Sequence, residues 1–338
     1  MRMLALAQWI VDDGGQVTLA SVRLSPQLEE LVRRNGIAIA RAEVALGSHD
    51  DGVWTRALFS AGAFDWLVSD GYHFADAYQS AMQQHGIRQV VFDDYGHCQK
   101  YVAEIVVNQN ASATETMYAG RAAQTDLLLG TRYAVLRREF VRALPLKRSV
   151  PDRADHVLVT LGGADPLNTT ASVAAWLLAI SDPALRVRIV IGPSNPRADE
   201  LRRNLRDDRV ELLSTSEDMA AQMVWAHLAL AGAGTTTWEL AYMGVPTILI
   251  VLADNQEALA RSMAEAGACA NLGWHHSLRE ATTTLVVQKL RADAKARARM
   301  AALGQSMVDG QGGRRILDAI RDRMVRSATV DTAQGNRA

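Results

Sequence analysis

Cysteine is nearly absent from this 338-residue chain, which has only Cys98 and Cys269, far apart and in no metal-ligand spacing. That argues against a disulfide framework and a thiolate zinc site, and two lone thiols fit the reducing cytoplasm. Net charge is equally scarce, at −1. A dedicated nucleic-acid binder is therefore not expected, because neutralising a phosphate backbone takes a strong local excess of Lys and Arg. No run of about 18 apolar residues occurs, so no transmembrane helix is expected. Walker, G-x-G-x-x-G and G-x-S-x-G motifs are missing, as is any metal-ligand constellation, so neither a metal nor a cofactor is expected. The remainder is ordinary for a globular chain, with 49% hydrophobic and 22% charged residues, and the length suits two domains.

The opening MRMLALAQWIVDDGG reads as an amphipathic helix ended by Gly14-Gly15. Trp9, Asp12 and Asp13 follow its short apolar stretch without the small-residue pattern of a signal peptide. Residues 16–22 carry a strand pattern, and Ser25-Pro26 opens a helix that stops at Asn35-Gly36, since the fixed φ of proline suits the first helical position. DWLVSD (65–70), RQVVFDD (88–94) and EIVVNQ (104–109) are short apolar runs ending in polar residues. Buried parallel strands look like this where they reach the carboxyl edge of a sheet. Residues 137–156, with two prolines and many charges, mark a domain boundary placed at 145/146. HVLVTL (156–161), RVRIVI (186–191), RVELLS (209–214), HLALAG (227–232) and PTILIVL (246–252) then build a second α/β domain over 146–326. Residues 327–338 read as a flexible tail. The first domain, 1–145, begins with a helix, whereas a doubly wound sheet normally begins with a central strand whose loop reaches the ligand. Its first strand is thus expected to be missing from the sequence as given.

Ligands of open α/β sheets bind outside the carboxyl ends of the strands, which directs attention to the loops there. After HVLVTL comes Gly162-Gly163-Ala164-Asp165-Pro166, where two glycines would admit a pyrophosphate to backbone N–H groups. Asp165 is equally a helix cap with proline behind it. After HLALAG comes Gly234-Thr235-Thr236-Thr237-Trp238-Glu239, a glycine turn able to cradle phosphate and followed by a carboxylate suited to ribose hydroxyls. Thr236 and Glu239 also have capping-box spacing. After PTILIVL, the amides of Asn255 and Gln256 suit sugar hydroxyls or N-acetyl groups, while Asp254 and Glu257 offer a second capping box. In the first half, Asp70, Tyr72 and His73, then Asp93, Asp94, Tyr95 and His97, mix carboxylate, phenol and imidazole, the side chains of general acid/base chemistry. Asp70, Tyr72, Asp94 and Asn255 are the candidate catalytic residues.

Five segments together carry a resemblance: VVNQNASATETMYAG and TDLLLGTRYAVLRREF (within 106–140), TLGGADPLNTT (160–170), AGAGTTTWELAYMGVPTILIVLADNQ (231–256) and VDGQGGRRI (308–316). In order and spacing the chain resembles the nucleotide-sugar hydrolases of pseudaminic acid biosynthesis, which cleave UDP-2,4-diacetamido-2,4,6-trideoxy-β-L-altropyranose to UDP and free sugar. That family is similar to the N-acetylglucosaminyltransferase that makes lipid II. The resemblance implies a GT-B-like α/β fold, two Rossmann-like domains facing a cleft, with UDP held mainly by the C-terminal one. It implies that Gly162, Gly163 and the turn Gly234, Thr235, Thr236 and Thr237 hold the pyrophosphate, that Glu239 holds the ribose, and that Asn255 and Gln256 face the sugar. No metal is needed, since helix N-termini can stabilise the departing UDP. The family's N-terminal strand and G-x-G-H loop, whose His is the proposed base, are absent before Met1-Arg2-Met3-Leu4-Ala5-Leu6-Ala7. The start is therefore expected to lie at an internal Met, and hydrolysis by the chain as written is expected to be weak. The expected function is hydrolysis of a UDP-activated sugar. The alternatives are a GT-B glycosyltransferase and a catalytically silent nucleotide-sugar-binding protein.

Overall fold

The computed structural model describes residues 1–143, 148–163, 165, 167–192, 194–214 and 218–335. The chain divides into two compact units: unit 1 is Met1–Leu24, Glu29–Val135 and the chain from Gln311 onward, and unit 2 is Ser25–Leu28 and Leu136–Gly310. No described helix is long and apolar enough to cross a membrane.

Unit 1 contains the strands β1 (Thr18–Ser21), β2 (Ala38–Arg41), β3 (Leu67–Asp70), β4 (Gln89–Phe92), β5 (Ile105–Asn108) and β6 (Asp126–Leu129). They form two parallel sheets, β1-β2 and β3-β4-β5-β6. The helix Arg2–Asp12 packs on both. Ala5 and Leu6 join Val90, Phe92, Ile105 and Val107 in one core, while Leu4 and Ala7 join Val32 and Ile37 in another, against which Leu19 and Ile39 of β1 and β2 pack. β4 and β5 are buried at every position, as strands covered on both faces must be.

Unit 2 contains β7 (His156–Thr160), β8 (Arg186–Ile191), β9 (Val210–Ser214), β10 (Leu228–Gly232), β11 (Thr247–Val251) and β12 (Cys269–Trp274). They make one six-stranded parallel sheet in the order β12-β11-β10-β7-β8-β9. Val157 and Val159, Val187 and Ile189, Leu228 and Leu230, and Ile248 and Ile250 enter the same core two residues apart, the period of side chains on one sheet face. β7, the first strand of this unit, lies between β8 and β10. In unit 1, β1 pairs only with β2, and β3 only with β4.

Three expectations about organisation need correction. The division falls at 135/136 rather than 145/146, and residues 144–147, around the expected boundary, lie outside the described residues. The last helix, Gly312–Gly335, belongs to unit 1 rather than to the second domain: Ile316, Leu317 and Ile320 complete the core of Ala5, Leu6, Val90 and Phe92. The glycines before it allow this docking. A Cβ at Gly312 would overlap the Ala134 carbonyl oxygen, and one at Gly313 would overlap the Trp9 ring. Residues 327–335, read as a tail, continue that helix. Strands β2, β6 and β12 carry no clear sequence signal, being respectively alanine-rich, opened by an aspartate, and interrupted by Asn271 and Gly273.

Candidate functional site

The loops leaving β7, β10 and β11 emerge side by side because those strands are neighbours in the sheet. Gly162 follows β7 at φ +87°, a left-handed conformation that favours glycine, and a Cβ at Gly162 or Gly163 would meet open space. From β8, Gly192 closes on this loop: a Cβ there would overlap the carbonyl oxygens of Gly162 and Gly163, and Ser194 N–H donates to Gly163 O at 3.0 Å. Asp165 turns inward at φ +39° and is buried. Its Oδ1 accepts from Thr169 N–H and its Oδ2 from Thr170 N–H, both at 2.9 Å, so both oxygens cap the helix Thr169–Leu178. Ala164 and Pro166 lie outside the described residues.

After β10, the turn from Gly234 leads into the helix Thr236–Tyr242. Thr237 N–H donates to Gly234 O and Trp238 N–H to Thr235 O, and among the described residues no carbonyl takes the N–H of Thr235 or Thr236. Thr237 Oγ1 is buried without a partner in the same turn. Neither capping box forms, since no side chain caps this helix or the one at Glu257–Glu265. Glu239 instead meets a residue 102 positions away: Arg137 Nε donates to its Oε1 at 2.9 Å and Nη2 to its Oε2 at 3.2 Å. Both side chains are under 10% exposed, and Glu139 also pairs with Arg137 at 3.0 Å. Burial alone would lower the Arg137 pKa, but Glu239 outweighs it and the guanidinium is held above its ordinary range. After β11, Asn255 is exposed, and Gln256 folds back so that its Oε1 accepts from Leu252 N–H at 3.0 Å. Gln256 Nε2 reaches toward Gly234, which brings the β10 and β11 loops into one surface.

In unit 1 the carboxyl ends of β3 and β4 bring Asp70, Tyr72 and Asp94 together around Arg2. Its guanidinium donates to both oxygens of Asp70 (3.0 and 2.6 Å) and both of Asp94 (2.7 and 3.0 Å). Tyr72 OH donates to Asp94 at 2.7 Å and Asn110 Nδ2 at 3.0 Å. Burial would lower the Arg2 pKa, but the two carboxylates overcome it and hold the side chain charged. The candidate acid/base carboxylates are thus largely occupied by a cation that the sequence pattern did not single out. Beneath them lies Asp93, fully buried, which accepts from His97, Tyr101 and Tyr118. Burial would raise its pKa, but these hydrogen bonds hold its carboxyl well below the usual range. His73 takes no part in this network.

A cleft of about 820 Å³ opens instead near the amino ends of β7 and β8, lined by Asp152, Arg153, Asp182, Glu280 and Arg291. Arg291 is bonded to Asp155 and Asp182, and Arg153 to Asp182, so its charges mostly neutralise one another. The glycine loops, at the opposite ends of the strands, are the chemically equipped surface.

The chain is 25% identical over 169 residues to the spore coat polysaccharide biosynthesis protein SpsG of Bacillus subtilis, covering 49% of this chain and 50% of that one. It is 25% identical over 194 residues to an uncharacterized protein of Methanocaldococcus jannaschii, covering 55% of this chain and 40% of that one. The matches thus span half or less of these relatives. Among solved structures, MurG of Acinetobacter baumannii superposes with a TM-score of 0.64 at 16% identity, covering 95% of each chain. A UDP complex of S. aureus MnaA superposes with a TM-score of 0.69 at 13% identity, covering 96% of this chain and 93% of that one. The fold is GT-B-like, and residues 156–309, which carry all three glycine and amide loops, match the glycosyltransferase family 28 C-terminal domain.

Proposed function

We propose that the chain is a nucleotide-sugar enzyme of polysaccharide biosynthesis that transfers the glycosyl group of a UDP-sugar, with unit 2 holding the nucleotide. One observation carries this reading: the family 28 match covers the residues at which three adjacent strand ends supply open glycines, free turn N–H groups and amides. The Gly162-Gly163 loop and the turn Gly234–Thr237 receive the pyrophosphate through backbone N–H groups, which stabilise the charge that grows on it as the sugar leaves. Glu239, pre-oriented by Arg137, accepts from ribose hydroxyls with lone pairs that the guanidinium leaves over. Asn255 and Gln256 read the sugar. Asp165 serves by fixing the loop rather than by touching ligand.

Hydrolysis is the second reading, favoured by the ordered segments 106–140, 160–170, 231–256 and 308–316 and their likeness to enzymes that cleave a UDP-diacetamido-trideoxy sugar. The two readings differ only in the nucleophile, an acceptor hydroxyl or water. Calorimetry with UDP, followed by assay of UDP release from UDP-sugars with and without an acceptor, separates them. Release that requires acceptor supports transfer, and release without acceptor replaces it by hydrolysis. Binding without release would make the chain a nucleotide-sugar-binding protein, and failure to bind UDP would end all three readings.

A further inference from the structure

Glu239 is a buried carboxylate whose hydrogen-bonding capacity is only partly filled. Its side chain is 7% exposed. Among the described residues each oxygen takes a single hydrogen bond, Oε1 from Arg137 Nε at 2.9 Å and Oε2 from Arg137 Nη2 at 3.2 Å. An ionised carboxylate has about four lone-pair sites, so one guanidinium leaves about half of them unused. Taking a charged group out of water without filling its hydrogen bonds is costly, and the two oxygens call for one further donor each.

Arg137 controls how those oxygens are held. It stands 102 positions before Glu239 and ahead of the segment 156–309 that matches the glycosyltransferase family 28 domain, yet both residues belong to unit 2. Its guanidinium carbon lies 4.8 Å from the ring centre of the fully buried Phe140, and its Nη1 pairs with Glu139 at 3.0 Å. Held by three groups, the planar fork grips both Glu239 oxygens and fixes the carboxylate's orientation, which the single ammonium of a lysine does not do. Two carboxylates against one guanidinium leave the trio net negative, so its unfilled positions suit neutral hydroxyl donors and repel a phosphate.

We infer that Arg137 is a positioning residue through which Glu239 selects a ribonucleoside diphosphate over its 2′-deoxy counterpart. This rests on the nucleotide-sugar reading, which seats the ribose at Glu239. The vicinal 2′- and 3′-hydroxyls of ribose offer two donors on adjacent carbons, one for each carboxylate oxygen. A 2′-deoxyribose offers one, and the other oxygen stays buried without a second donor. A site built to bond a hydroxyl rejects the analogue that lacks it for this reason. Arg137 acts on the ligand only through Glu239, so its replacement should erase the distinction between the two sugars and spare the grip on the diphosphate, which falls to the glycine loops. A purely structural ion pair would tie residues 136–143 to the helix Thr236–Tyr242 and leave that distinction untouched.

Calorimetry with UDP and 2′-deoxy-UDP tests this. The wild type is expected to bind UDP about tenfold more tightly than 2′-deoxy-UDP. Equal affinities overturn the proposal and leave the nucleotide reading standing, whereas failure to bind either ligand ends that reading and the proposal with it. Arg137→Lys, which keeps the charge without the fork, is expected to bring the two affinities within about threefold of each other, chiefly by weakening UDP. A folded lysine variant that keeps the wild-type ratio overturns the role of Arg137, since a merely structural pair moves the melting temperature alone. Should that variant not fold, Arg137→Gln, which keeps a neutral donor on a shorter side chain, is read in the same way.

Discussion

At residue scale, Glu239 and Asp165 show how one side-chain type takes different work from its surroundings. Asp165 gives both oxygens to the first turn of Thr169–Leu178 in a left-handed backbone that Asp tolerates better than most residues. Asp165→Ala should therefore cost about 1–2 kcal/mol in denaturant titration, through the lost cap. Glu239 is fixed from outside its helix by Arg137, which leaves lone pairs over. Glu239→Gln should weaken UDP by about tenfold in calorimetry, whereas unchanged affinity with lowered stability would confine Glu239 to its ion pair. His227 gives a pH test. Burial first, then the neighbouring His156, lowers it to about 4, and it stacks on His156, which stacks in turn on Trp225. Between about pH 6.5, the unfolded value, and pH 4, the unfolded chain gains a proton that the folded one refuses. Stability should fall as pH drops through that window, and His227→Gln should flatten part of the fall in thermal melts.

At the scale of elements, the glycines that matter are those where two pieces of backbone touch. Gly192→Ala would press a methyl on the carbonyls of Gly162 and Gly163. Since both are backbone, the loop after β7 must shift, and UDP affinity should fall more than the melting temperature does. Gly313→Ala meets the Trp9 ring at the junction of the last helix with the first. That contact completes the unit 1 core, so the variant should lower the melting temperature by several degrees with UDP affinity in unit 2 kept. Loss of UDP binding in this variant would contradict the assignment of the nucleotide to unit 2.

At the scale of the whole molecule, the two parallel-sheet units carry different sets of candidate groups, one with glycine loops and amides, the other with a carboxylate–tyrosine–histidine cluster. A ligand that binds only the folded state stabilises it by about 2.7 kcal/mol at a hundredfold excess over Kd. Scanning calorimetry with UDP should accordingly raise one transition if the units melt apart, and that transition should be the one that Asp165→Ala lowers.

Much of this was legible before folding. HVLVTL, RVRIVI and PTILIVL announced strands by apolar runs of the right length, and Gly162 and Gly234 announced turns just past the strand ends, because hydrophobic period and glycine's freedom are local properties. Asp70, Tyr72 and Asp94 could be marked as chemically capable, but not as partners of Arg2, which lies 68 and 92 positions from the two carboxylates. The pairing of Glu239 with Arg137 and the return of the last helix to unit 1 were hidden for the same reason. Sequence fixes what each segment prefers within a turn or strand of itself. Which distant charge neutralises which, and which core a terminal helix completes, is decided only when burial forces every polar group to find a partner.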